Sequence, residues 1–271
     1  MKAIDFDYAR PATVDEALEL LDRGDIAARP VAGAQSLGPM LNLRLAQPDL
    51  LVDITGIAEL RGIRIDGDAI AIGACVTHAT LEDGRYNDAT RGVLPGVAGG
   101  IAYRAVRNRG TIGGSLAHAD PAADWVATLT ALGAEVVVAG RGGRRSVPVA
   151  DFVLGVFETD LQPGEIIVEI RVPALSERAR WGYYKVCRKA GEFSHATGAV
   201  LVDPARGVRR AVIAAASGRP IVIEDAEVIQ GGGCRPERIA GILADTPLAG
   251  NAFEINTHTV ALKRAIAQVT A

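Results

Sequence analysis

Residues 28–38, ARPVAGAQSLG, constrain the fold more tightly than any other stretch of the chain. The run Ala28–Ala32 reads as a strand, and it leads without a spacer into a turn of small residues. That turn is Gly33, Ala34, Gln35, Ser36, Leu37 and Gly38, entered through Val31 and Ala32. Side chains this small let main-chain N–H groups approach an anion, and successive N–H groups in such a turn form a concave nest. Gly33 takes a positive φ freely, whereas Ala34 suits the turn only if its φ stays negative. The same residues also suit a tight strand-to-helix turn with no ligand. The segment is not a Rossmann fingerprint, because GxGxxG is missing, and no Gly-Lys-Ser/Thr follows to make a P-loop.

Strand and helix signals alternate around this turn. A short strand is expected at Ala3–Asp7. Thr13, with Glu16 three residues on, forms a capping box ahead of the helical stripe Val14, Ala17, Leu18 and Leu21, which Gly24 ends. Further strands are expected at Leu50–Ile54 and Ala69–Gly73, with helices at Thr77–Asp83 and Thr90–Ile101. Tyr103–Ala119 reads as glycine-rich and irregular. Asp120 as N-cap and Pro121 at the first helical position open a helix with Trp125, Val126, Leu129 and Leu132 on one face and Gly133 as its C-cap. Glu135–Ala139 and Arg145–Val149 flank Gly140–Gly143 as a hairpin. After a strand at Ile166–Val172 and the polar stretch Ala174–Arg178, strands are expected at Ala179–Arg188, Thr197–Asp203, Val208–Ala216 and Ile221–Glu227. Helices follow at Pro236–Asp245 and Thr257–Val269. Consecutive strands followed by helices make this second region α+β.

Two further segments carry polar chemistry. In Arg107–Asp120, Gly113 and Gly114 can bring main-chain donors against a diphosphate, and Thr111 and Ser115 can add hydroxyls beside Ile112. Arg104, Arg107 and Arg109 supply local positive charge in a chain whose net charge is only −3. An irregular glycine turn is the alternative. In Lys185–His195, Phe193, Lys189 and His195 can meet a planar ligand, or the segment is a basic β-turn with a core phenylalanine.

Composition excludes several classes. Aromatic residues are 4% of the chain and the net charge is near zero, so neither stacking platforms nor a basic field favour nucleic acid. Cys75, Cys187 and Cys234 have no metal-ligand or redox spacing, and His78, His118, His195 and His258 are scattered, so no metal site is expected. An N-terminus without an apolar signal core, and no apolar run of membrane-span length, lead to the expectation of a soluble cytoplasmic protein.

Taken in order, VAGAQSLGPMLNLRLAQP at 31–48, LVDITGIAELRGI at 51–63, RNRGTIGGSLAHADPAAD at 107–124 and CRKAGEFSHA at 187–196 resemble the FAD-binding medium subunit of the molybdenum hydroxylases over nearly the whole chain. The resemblance implies an α+β fold: a two-lobed FAD-binding domain of the vanillyl-alcohol oxidase (PCMH) type at 1–175, with lobes of about 1–56 and 57–175, and a smaller α+β domain at 177–271. It implies FAD contacts at Val31–Gly38 and Thr111–Ser115, an acidic contact at Asp124, a backbone contact at Ile167, and ring-flanking positions at Phe193 and His195. Ala34 stands where a second glycine is common, and Ser115 where Asn is common. The implied function is electron transfer from [2Fe–2S] clusters of a small partner subunit to NAD⁺, a quinone or another acceptor, with the substrate hydroxylated on a molybdenum-pterin large subunit. The assembly would be a dimer of heterotrimers. Three cysteines cannot ligate such a cluster through four thiolates, so the clusters belong to a partner. A self-contained flavin oxidoreductase of the same superfamily and a non-catalytic assembly protein that kept the fold are the other readings.

Overall fold

The computed structural model describes residues 2–216, 218–229 and 234–270, arranged around three sheets and a small two-stranded ribbon. The α+β class expected from the sequence is the observed one. The first sheet comes from β1 (Asp7–Ala9), α1 (Val14–Leu21), β2 (Ala28–Val31), α2 (Leu37–Asn42) and β3 (Leu50–Asp53). Its strands are parallel in the order β1-β3-β2, with α1 and α2 in the crossovers that parallel neighbours require. The Thr13 cap forms, Thr13 Oγ1 accepting the Glu16 N–H at 3.2 Å, but the Glu16 carboxylate reaches one residue past the N-cap and accepts the Ala12 N–H at 2.7 Å. The first strand lies at Asp7–Ala9 rather than Ala3–Asp7, because Asp7, Tyr8 and Ala9 pair with Leu50, Leu51 and Val52 of β3.

Two 3₁₀ turns, Ile54–Gly56 and Ala58–Arg61, lead to β4 (Ile63–Asp66) and β5 (Ala69–Gly73). The sequence reading missed β4, an edge strand with only Ile63 even partly buried. Five helices follow: α3 (His78–Asp83), α4 (Val93–Gly99), α5 (Arg104–Arg107), α6 (Ile112–His118) and α7 (Asp124–Leu132). Next come β6 (Glu135–Gly140), β7 (Gly143–Pro148), α8 (Val149–Phe152), the ribbon β8 (Val153–Gly155) and β9 (Glu158–Thr159), and β10 (Ile166–Pro173). The last strand inserts at the centre of an antiparallel sheet ordered β4-β5-β10-β6-β7, with a bulge between Ile167 and Glu169. The hairpin expected around Gly140–Gly143 is β6–β7.

Three expectations in this region change. Tyr103–Ala119 is not irregular, since α5 and α6 occupy most of it. The helix expected from Thr90 starts at Val93. The helix expected from Asp120 starts at Asp124, because Ala119 takes φ 49° and Asp120 closes a separate turn. Its Oδ1 accepts the Ala122 N–H at 2.9 Å, and its carbonyl the Ala123 N–H at 2.9 Å.

The third sheet is antiparallel in chain order: β11 (Arg180–Val186), β12 (Ala196–Asp203), β13 (Val208–Ala214) and β14 (Ile221–Ile223). The expected strand to Glu227 ends at Ile223, and the Asp225 carboxylate accepts the Glu227 N–H at 2.9 Å to open α9 (Ala226–Ile229). Then come α10 (Pro236–Ile242) and α11 (Ala252–Thr270), the latter begun earlier than the expected Thr257. Gly182 and Gly198 let α11 lie close on the sheet: a Cβ at Gly182 would stand 2.0 Å from Ala265 O, and one at Gly198 2.8 Å from Leu262 Cα. On the other face Ala127 and Ala131 of α7 pack on Ala199, Val212 and Ala214. Trp125, Leu129 and Leu132 turn the opposite way, into the core of the five-stranded sheet. Every residue of α7 is therefore buried, and the sequence stripe showed only one of its two faces. No helix of the described residues is long and apolar enough to cross a membrane.

Candidate functional site

The Val31–Gly38 segment leaves β2 at the carboxyl edge of the parallel sheet, where open α/β sheets place ligands. Ala34 adopts φ 57°, so the expectation of a negative φ is wrong. The left-handed conformation costs an alanine about 1 kcal/mol. A left-handed residue inside such a turn makes neighbouring N–H groups converge. The N–H groups of Gly33, Ala34, Gln35, Ser36 and Leu37 meet no acceptor among the described residues. Gln35 Nε2 donates to Gly33 O at 2.9 Å, and the Gly38 N–H to Ala34 O at 2.9 Å, which closes the turn around these free donors.

Thr111–Ser115 is the N-cap and first turn of α6 rather than a loop. Thr111 Oγ1 accepts the Gly114 N–H at 3.1 Å and Thr111 O the Ser115 N–H at 3.0 Å. The N–H groups of Ile112 and Gly113 donate to Val76 O and Ala74 O, each at 3.0 Å. The main-chain donors expected from Gly113 and Gly114 are thus already engaged within the protein. The glycines serve close approach instead: a Cβ at Gly113 would lie 2.6 Å from Ala74 Cβ. The two segments meet directly, since a Cβ at Gly33 would stand 2.0 Å from Arg109 O. The second segment forms a wall beside the first turn, and Ser115 Oγ has no hydrogen-bond partner among the described residues.

The expected basic cluster is largely neutralised. Arg104 lies 2.6 Å from Asp83 and 2.7 Å from Glu82, and Arg107 lies 2.8 Å from Glu82. Hydrogen bonds from Arg107, then Arg104, hold the Glu82 carboxyl below its usual range. Arg109, exposed, has no carboxylate partner among the described residues and is the positive charge left beside the turn.

Asp124, 8% exposed, opens α7 and is held from the third sheet. Its Oδ1 accepts from Tyr183 Oη at 2.6 Å and from Lys185 Nζ at 2.8 Å, and Lys185 also donates to Gly100 O at 3.0 Å. Burial first, and the Asp124 charge next, raise the Tyr183 hydroxyl well above its ordinary pKa, so it stays a neutral donor. The sequence reading named Asp124 and not Tyr183 or Lys185. The alternation in Trp181–Lys185, which puts Tyr183 and Lys185 on one strand face, was the available signal.

Ile167 is a core residue of β10, paired with Val138. Phe193 is 64% exposed, and His195 is exposed with its N–H on Val186 O at 2.8 Å. Their segment is tied to the helical region by the Ile101–Gly191 bridge, with Tyr103, 69% exposed, nearby in the chain. Phe193 is therefore a surface ring, not the core phenylalanine of the alternative reading. Burial pushes the Cys75 thiol up to about 12, and no metal-holding group of His, Cys, Asp and Glu occurs among the described residues.

A family model described as the FAD binding domain in molybdopterin dehydrogenase matches residues 4–175. The carbon monoxide dehydrogenase medium chain of Hydrogenophaga pseudoflava is 43% identical over 197 residues, which cover 73% of this chain and 69% of that one. The nicotine 6-hydroxylase medium subunit of Paenarthrobacter nicotinovorans is 37% identical over 239 residues, 85% of this chain and 82% of its own. Among solved structures, carbon monoxide dehydrogenase from Hydrogenophaga pseudoflava superposes with a TM-score of 0.86 at 35% identity, covering 99% of this chain and 98% of that one. Quinoline 2-oxidoreductase from Pseudomonas putida 86 gives a TM-score of 0.84 at 28% identity, covering 100% and 98%. With the family model spanning most of its length, the chain belongs to the FAD-binding medium subunits of the molybdopterin dehydrogenases.

Proposed function

We propose that the chain relays electrons within a heteromeric molybdenum hydroxylase, from [2Fe–2S] clusters of a small partner subunit to NAD⁺, a quinone or another acceptor. A molybdenum-pterin large subunit hydroxylates the substrate, and two heterotrimers pair in the cytoplasm. FAD, when bound, supplies a centre able to exchange electrons singly or in pairs. The protein's part is to bind it, orient it and keep its surroundings fixed.

The observation that carries this reading is the row of free N–H groups from Gly33 to Leu37, closed in by the Arg109–Gly110 backbone. Such donors suit the oxygens of a diphosphate. In this reading Val31–Gly38 holds the diphosphate, and Arg109 balances its charge. Thr111 and Ser115 offer hydroxyls from the wall that Ile112, Gly113 and Gly114 complete. Asp124, fixed by Tyr183 and Lys185, is an acceptor for ligand hydroxyls or the ring's N–H edge. Phe193 and His195 flank the ring, and Ile167 backs it through β10. We read residues 1–175 as the FAD-binding unit and 177–271 as a second domain that closes on it through Lys185.

Purification of the complex, with visible spectroscopy and mass analysis of what accompanies the chain, tests the proposal. Flavin, iron–sulfur and molybdenum signals together are expected. An isolated chain that oxidises small organic substrates would replace this reading with the self-contained oxidoreductase. A chain that binds its partners but no flavin would replace it with the assembly protein.

A further inference from the structure

His78 has no part in the roles assigned above, yet it touches both sides of the site. The residue is 6% exposed and stands at the start of α3. Trp125 Nε1–H donates to His78 Nδ1 at 3.1 Å. An imidazole that accepts at Nδ1 is neutral with its proton on Nε2. The opposite ring edge faces Gly110: a Cβ there would lie 2.9 Å from both His78 Cδ2 and Nε2. The His78 N–H donates to Gly110 O at 2.9 Å, and the neighbouring Thr77–Thr111 bridge aligns the N-caps of α3 and α6. Gly110 follows Arg109, whose carbonyl is the atom against Gly33. Trp125 follows Asp124 on α7.

We infer that His78 is a positioning residue for the cofactor site, whose Nδ1 acceptor ties Trp125 of α7 to the Arg109–Thr111 backbone and so fixes where that backbone lies against the Gly33 turn. The inference rests on the FAD reading of that turn. The ring acts through its Nδ1 acceptor for Trp125, while the His78 backbone N–H holds Gly110 O. It carries no charge to the ligand, since burial pushes its pKa down to about 4.

Two near-isosteres separate this role from others. In His78→Asn, Oδ1 replaces Nδ1 and still accepts from Trp125. In His78→Gln, the terminal amide N–H replaces Nε2–H, and the acceptor for Trp125 is lost. FAD titrated into the full chain, followed by quenching of flavin fluorescence, reads the dissociation constant directly. His78→Asn should stay within about threefold of wild type, while His78→Gln and His78→Phe should bind about tenfold more weakly, the loss of one well-placed hydrogen bond. Far-UV circular dichroism tracks folding, and if His78→Phe fails to fold the Asn and Gln pair decides. Retained affinity in Gln with loss in Asn would overturn the inference in favour of direct donation from Nε2. Equal affinity in all variants would overturn it as well. A wild-type chain that takes up no FAD would refute the FAD reading itself, a separate outcome.

Discussion

Ala34 shows at the scale of one residue how far the sequence could be read. Its place in the turn was evident, and so was the condition on its backbone; the sign of φ was not. Leaving the strand at Val31 and entering α2 at Leu37 needs a reversal, and φ 57° at Ala34 supplies it despite the Cβ. Ala34→Gly should therefore raise stability by about 1 kcal/mol in urea unfolding and leave FAD affinity intact. Gly33→Ala should do the reverse, because its Cβ would meet the carbonyl of Arg109. A loss of at least tenfold in FAD affinity, about 1.4 kcal/mol, is expected on titration. The arginines carry the same lesson. Their clustering near the glycines was plain, but Glu82 and Asp83, more than twenty residues away in the chain, cancel most of the charge.

Individual elements were more legible than their starts. Most strands and both long apolar helices were recognised from periodicity, since burial on one face writes a pattern. Helix starts are set by local hydrogen bonds that several residues compete to make. Asp120 looked like the cap of α7 and instead caps a turn of its own. Thr111, named for the hydroxyl it can offer a ligand, also caps α6. Thr111→Val should cost about 1 kcal/mol of stability in urea unfolding through the lost cap. At α11, Gly198→Val should detach the helix from β12, since the first added carbon already meets Leu262. Hydrogen exchange should show faster exchange across α11 than in wild type, while α6 keeps its protection.

Across the whole molecule, the five-stranded and four-stranded sheets are joined through α7, and the sequence did not show this. A helix buried on both faces has no polar stripe to mark which partner each face meets. The Lys185–Asp124 pair crosses the same junction. Two buried histidines add a pH dependence. Burial pushes His78 and His258 down to about 4, whereas unfolded chains titrate near 6.5. Between those values the unfolded state binds more protons, so stability is full above about 6.5 and falls as pH drops toward 4. A loss on the order of 3 kcal/mol between about pH 7 and 5 is expected in urea unfolding, and a flat profile would contradict it.

In the function proposed here, the Gly33–Leu37 turn, with the Arg109 backbone against Gly33, holds FAD. The most direct test is the flavin content of the natively purified chain beside that of a Gly33→Val variant of matched circular dichroism. Equimolar FAD in the wild type and little in the variant is the expected result. A folded wild-type chain that takes up no FAD even with excess cofactor, or a variant that keeps it in full, would rule out FAD binding at this turn.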